Sequence, residues 1–244
     1  MPVAVLKPSR PSGGRRTLVD DATAGSERDP AKGFPMTLTV LNPDAVRNAP
    51  LSREPYDFFL GSGSLRDDAI PDLKRDFPNI TKPGYLTVDE VDLKGRFKTL
   101  IDEIESEEFS EILSQKFGKN LHPYPRLTTI RKLSQAKDGR IHTDGPSKVM
   151  TLLIYMNDEW QADESGRLRV LYDGQNFEPY AAEVPPTMGT IFAFLRADHS
   201  WHGHKPYTGE RRVVQTAWIT DASELERKRK RNGVAQFFKG VFGR

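Results

Sequence analysis

Cysteine is absent from this chain, and that one absence excludes disulfides, thiolate-bound zinc, iron–sulfur clusters and cysteine nucleophiles together. Any metal the protein binds must therefore rest on His, Asp or Glu. Long apolar runs are missing as well. No window approaches the roughly 18–20 continuous hydrophobic residues of a membrane span, and the N-terminus has no apolar signal-peptide core. Charge of one sign is also lacking: 36 basic and 34 acidic residues leave a net charge of +2, which gives no reason to expect a nucleic-acid partner. With a mean hydropathy of -0.60, the composition is that of a water-soluble globular protein, and the expected location is cytoplasmic by default.

What is present fits one full-size domain with tails, since 244 residues leave little room for a second core. Residues 1–35 are rich in Pro, Gly, Ser, Arg and Asp and carry neither helical nor strand periodicity, so a disordered extension is expected there. Met36 opens a more ordered-looking stretch and stands as an alternative start to translation. The domain is expected over 36–225, with a helical N-terminal part and a β core over about 126–220. Residues 226–244 join a basic run to Phe237, Phe238 and Phe242. That tail is expected to pack on the domain, with docking on an anionic membrane surface or a partner as the other reading.

Between Phe97 and Phe117 the apolar residues recur mostly at helical spacing, which predicts one long amphipathic helix or a helical pair. Afterwards the texture changes to short β-like runs separated by turn residues, centred on 127–133, 139–144, 149–156, 167–172, 177–184, 189–195, 199–204 and 211–219. Closely spaced short strands predict a sandwich or jelly roll, mainly β, with the helices bracing one sheet from outside.

Within that β region, His142 and Asp144 stand one residue apart at the end of a predicted strand, so alternation turns both side chains to the same face. Sixty residues on comes a second cluster, Ser200-Trp201-His202-Gly203-His204-Lys205-Pro206, just before the last strand. Two histidines and one carboxylate on one face of an ion leave three coordination positions open, which is the arrangement of non-haem Fe(II) oxygenases. Strand periodicity alone does not choose between His202 and His204.

In order and spacing, these residues resemble the Fe(II)/2-oxoglutarate dioxygenases, in particular the prolyl-4-hydroxylase-like branch. The likeness runs from about Leu127 to Ile219 and rests on His-x-Asp, a strand ending Tyr155-Met156-Asn157 with Trp160 beyond it, a Ser165-Gly166-Arg167-Leu168 turn, then His202 four residues before Pro206. Ser165 departs from the glycine common at that point. The resemblance implies a double-stranded β-helix (jelly roll, cupin-like) and iron held by His142, Asp144 and His202, with His204 beside the site and His199 in a loop. It also implies a basic residue for the distal carboxylate of 2-oxoglutarate, six positions before a strand tryptophan. Trp218 then selects Arg212 over Arg211. Tyr155 and Thr151, on one strand face, become candidate co-substrate contacts, and Arg131 a weaker one.

The implied activity is hydroxylation of a C–H bond, on a protein side chain such as proline or on a small metabolite or saccharide. O2 is the oxidant, 2-oxoglutarate leaves as succinate and CO2, and ascorbate is a candidate reductant. Asp144 occupies the position that a halide would take in a halogenating relative, so hydroxylation is expected over halogenation. The competing reading is a non-catalytic cupin-like module that binds or senses a ligand.

Overall fold

The computed structural model describes residues 38–162, 164–221 and 223. The expectations for the 1–35 extension and the 226–244 tail lie outside the described residues. Four helices precede or brace ten strands: α1 (Pro43–Asn48), α2 (Ile70–Asp76), α3 (Gly95–Ile104) and α4 (Glu107–Phe117), with β1 (Leu51–Ser52), β2 (Phe58–Gly61), β3 (Leu86–Thr87), β4 (Arg126–Ser134), β5 (Lys148–Tyr155), β6 (Leu168–Leu171), β7 (Tyr180–Val184), β8 (Ile191–Leu195), β9 (His202–His204) and β10 (Gly209–Ile219).

The strands form a seven-stranded antiparallel sheet in the order β1-β2-β8-β5-β10-β4-β3 and a three-stranded sheet in the order β7-β6-β9. This is the expected mainly β, jelly-roll architecture. Each central strand of the large sheet is buried on both faces, which is why it reads in sequence as an almost unbroken apolar run. Met150, Leu152, Ile154, Ile191, Ala193, Val214 and Trp218 turn toward the helices. Leu153, Tyr155, Phe192, Phe194 and Val213 turn the other way and pack with Leu168, Val170 and Val184 of the small sheet. Alternation along β5, β8 and β10 therefore separates a helix-side core from a second core that also includes small-sheet residues.

The helical stretch is a pair, broken at Glu105-Ser106. Ser106 caps α4 by accepting the Phe109 amide at 3.1 Å, and Gly118 ends it in the left-handed conformation at φ 66°. One expected strand is not formed. Residues 139–144 make a turn in which His142 alone bridges to His202. The polar residues Asp138 and Asp144 are engaged locally, by the Gln135 amide at 2.9 Å and the Thr151 hydroxyl at 2.5 Å, and do not extend a ladder.

The segment 39–41 is tied to α3 by the buried carboxylate of Glu103, which accepts the amides of Thr39 at 2.5 Å, Val40 at 3.0 Å and Leu41 at 2.8 Å. Removing that acceptor strands buried donors. Glu103→Ala is expected to lower stability by about 2–4 kcal/mol in urea unfolding. A loss below about 0.5 kcal/mol would mean that this carboxylate does not hold the N-terminal segment.

Candidate active site

His142 and His202 face each other across two backbone hydrogen bonds, each histidine amide donating to the other's carbonyl at 3.0 Å. That pairing brings their rings to a centroid separation of 4.4 Å. Asp144 reaches the same place from the turn beyond His142, and one ligand atom from each of the three lies within 4.8 Å of the others. Gly203 permits the close approach of the chain at 139–140, because a Cβ there would sit 2.8 Å from the Gly139 carbonyl oxygen.

The donor chemistry fits a divalent metal. Each imidazole has Nδ1 against a backbone carbonyl, His142 with Arg140 at 2.8 Å and His202 with Ser200 at 2.9 Å, which fixes the tautomer and leaves Nε2 as a free lone pair. Burial pushes His202 down to about 4, partly opposed by the Asp144 charge, so the ring is neutral and ligand-competent at neutral pH. For Asp144, burial works to raise the carboxyl. The charge of Lys148, that of His202 when protonated, and hydrogen bonds from Lys148 at 2.6 Å and Thr151 at 2.5 Å outweigh it and hold the carboxyl below its ordinary range.

These residues open into a cavity of about 310 Å³, also lined by Tyr85, Arg131, Thr151, Leu153, Leu168, His204, Arg211 and Gln215. Of the two candidate arginines, Arg211 is the one inside. It is 1% exposed, donates through Nε to the Gly166 carbonyl at 2.7 Å and through Nη2 to the Tyr155 hydroxyl at 2.9 Å. Arg212 points away, pairs with Glu210 and lies 5.2 Å from the Phe77 ring. The structure thus places Arg211, and not the expected Arg212, in the cavity, and the reason is parity. Trp218 packs in the helix-side core, so the register that groups Arg212 with Trp218 turns both away from the cavity, while Arg211, Val213 and Gln215 share the opposite face.

Neighbouring motifs hold this register. Asn157 accepts the Arg212 amide at 2.8 Å, and the Met156 amide donates to the Arg212 carbonyl at 3.1 Å, so the Tyr-Met-Asn triplet pins the start of β10. Ser165 costs the turn nothing, because the positive φ of 73° falls on Gly166, where a Cβ would strike Trp160 at 2.5 Å. Tyr155 is fully buried, its hydroxyl raised by burial and partly lowered by Arg211. Thr151 lines the cavity with its hydroxyl on Asp144. Arg131 and His204 are in the lining, whereas His199 is an exposed loop residue. Lys148, Tyr85 and Gln215 were not singled out from sequence. Lys148 had a legible signal, since it follows Asp144 by four residues at the start of an apolar strand, but Tyr85 had none.

Comparison with known proteins is decisive at this point: residues 130–220, which carry all three candidate ligands and both arginines, match the model of the 2OG-Fe(II) oxygenase superfamily. The likeness to that superfamily rests on this segment, which is less than half of the chain. No curated protein matches the chain in sequence. Among solved structures, a Pseudomonas putida prolyl-4-hydroxylase is similar at 16% identity and a TM-score of 0.50, over 74% of this chain and 97% of that one. A Phytophthora capsici prolyl 4-hydroxylase has 16% identity and a TM-score of 0.47, over 66% and 58%. An oxidoreductase of the 2OG-Fe(II) oxygenase family from Burkholderia pseudomallei has 14% identity and a TM-score of 0.38, over 72% and 75%. At these identities the Pseudomonas structure speaks for the fold. An enzyme of this superfamily works with Fe(II), 2-oxoglutarate and O2, and no helix among the described residues is long and apolar enough to cross a membrane.

The site also sets a pH dependence of stability. Burial pushes both His202 and His204 down to about 4, below the ordinary 6.5 they regain on unfolding. Between those limits the unfolded chain takes up the protons, so this contribution is complete above 6.5 and is lost as pH falls toward 4. The metal-free protein is expected to lose on the order of 1–3 kcal/mol per histidine across that window. His204→Gln should flatten the slope of the urea midpoint against pH; an unchanged slope would contradict the burial of His204 as its cause.

Proposed function

We infer that this oxygenase hydroxylates a C–H bond of an organic substrate, with iron held by His142, Asp144 and His202 and 2-oxoglutarate held by Arg211. The observation that carries the reading is the convergence of the three side chains to within 4.8 Å, with both imidazoles committed through Nδ1 and free at Nε2. Two nitrogens and one carboxylate leave half of an octahedral ion open, which suits a chelating co-substrate plus an oxidant. When bound, Fe(II) supplies the O2 activation that couples conversion of 2-oxoglutarate into succinate and CO2 to oxidation of the substrate.

The chain's own residues prepare the site. Lys148 and Thr151 fix both oxygens of Asp144 and so set the direction of its remaining lone pairs. Arg211 is buried and oriented by Gly166 and Tyr155, so its guanidinium meets the distal carboxylate of 2-oxoglutarate without first having to be ordered. Tyr155, neutral, adds a hydroxyl beside it. The apolar wall of Leu153 and Leu168 limits water in the cavity, which protects a reactive oxidant from side reactions. Asp144 also fills the coordination position that a halide would need, which favours hydroxylation.

Succinate release from 2-oxoglutarate with added Fe(II) is expected from the wild type and not from His142→Ala, Asp144→Ala or His202→Ala, with circular dichroism unchanged. Activity in any folded one of these removes that residue from the set. Arg211→Ala is expected to raise KM for 2-oxoglutarate by about 30-fold or more, as for a buried charge left unpaired, and Arg212→Ala by no more than about twofold. The reverse ranking would return the clamp to Arg212.

A further inference from the structure

The cavity holds more positive charge than its co-substrate uses. Among the described residues lining it, Arg131, Lys148 and Arg211 are cationic and Asp144 is the carboxylate. Lys148 is engaged by Asp144 at 2.6 Å, and Arg211 is the arm for 2-oxoglutarate in the reading above, on which this inference rests. Arg131 is left over. Its side chain is 9% exposed and stacks on the Tyr85 ring at 4.0 Å. The carboxylate of Asp138 stands 3.6 Å away, outside hydrogen-bond range, and accepts the Gln135 amide at 2.9 Å. Nε of Arg131 has no hydrogen-bond partner. Arg66, Arg167 and Arg212 also carry a buried Nε without a partner, but they lie outside the cavity lining.

The two cavity guanidiniums are held by different partners. Arg211, on β10, is drawn toward β5 by the Tyr155 hydroxyl and toward the 165–166 turn by the Gly166 carbonyl. Arg131, on the neighbouring strand β4, is drawn toward Tyr85, at the β3 edge of the same sheet, and toward the 135–138 loop. A carboxylate seated between Arg211 and Tyr155 leaves the Arg131 fork unfilled. A buried donor left without a partner is unfavourable, and a ligand oxyanion would relieve it. We propose that Arg131, backed by Tyr85, is a second oxyanion site in the cavity, and that the primary substrate is a small molecule bearing a carboxylate. The cavity volume of about 310 Å³ suits a small acid. Its anion fixes one end of the molecule at Arg131, while the ligand triad addresses the other.

The test uses the full chain with Mn(II) in place of Fe(II), and acetate as the probe. Calorimetry first establishes that 2-oxoglutarate binds; no binding to the manganese-loaded wild type would sink the co-substrate reading itself and this inference with it. With 2-oxoglutarate saturating, the acetate methyl protons are expected to show saturable paramagnetic relaxation. That effect should vanish in Arg131→Gln and persist at least in part in Arg131→Lys, which keeps the charge and guards against a merely misfolded variant. Affinity for 2-oxoglutarate should change less than about threefold in Arg131→Gln, against more than about tenfold in Arg211→Gln. Absence of acetate relaxation in the wild type, or its survival in Arg131→Gln, overturns the proposal. So does a loss of 2-oxoglutarate affinity in Arg131→Gln as large as in Arg211→Gln, which would make both arginines one clamp.

Discussion

Two backbone hydrogen bonds between His142 and His202 are the constraint on which the rest of the site depends. They join residues sixty positions apart in the chain and bring two imidazoles together at a tilt of 53°. With Asp144 delivered from the segment after His142, three candidate metal ligands stand together. The surroundings keep them ready. Both Nδ1 atoms are occupied by carbonyls, the Asp144 carboxylate is fixed on two sides, and His202 is kept neutral by its burial.

The second constraint is the parity of β10, a strand packed on both faces. Its even-numbered residues Val214 and Trp218 serve the helix-side core, and its odd-numbered residues Arg211, Val213 and Gln215 serve the cavity and the second core. A shift of one residue would exchange the two sets. Asn157 prevents that shift by holding the backbone of Arg212, and Gly166 rewards the correct register by accepting from Arg211. The contacts that fix the strand therefore also orient the Arg211 guanidinium in the cavity.

Much of this was legible in the sequence because hydrophobic pattern and motif order report on burial and on metal chemistry. The helical stretch and the sequence of short strands were readable from spacing, whereas the choice of His202 beside His142 and Asp144 came from the family resemblance. The choice between Arg211 and Arg212 was not legible. Alternation says that the two arginines oppose each other, but it does not say which face of a doubly buried strand meets the cavity. Trp218 selects Arg212 by spacing alone, and it belongs to the helix face, with Nε1 donating to Ser110 at 3.4 Å. The strand expected at 139–144 failed for a related reason, since a single bridge to β9 leaves no ladder for periodicity to detect. Tyr85 lies far from the motifs in sequence and reaches the cavity only through the folded edge of the large sheet.

The central claim is that one metal sits on this triad with 2-oxoglutarate reaching from it to Arg211. Anomalous diffraction from crystals of the protein loaded anaerobically with Mn(II) and 2-oxoglutarate tests it most directly. The account predicts a single strong peak within bonding distance of His142 Nε2, an Asp144 oxygen and His202 Nε2, and electron density for the distal carboxylate on the Arg211 guanidinium beside Tyr155. A peak bound through His204 in place of His202, or a distal carboxylate seated on Arg212, would contradict it.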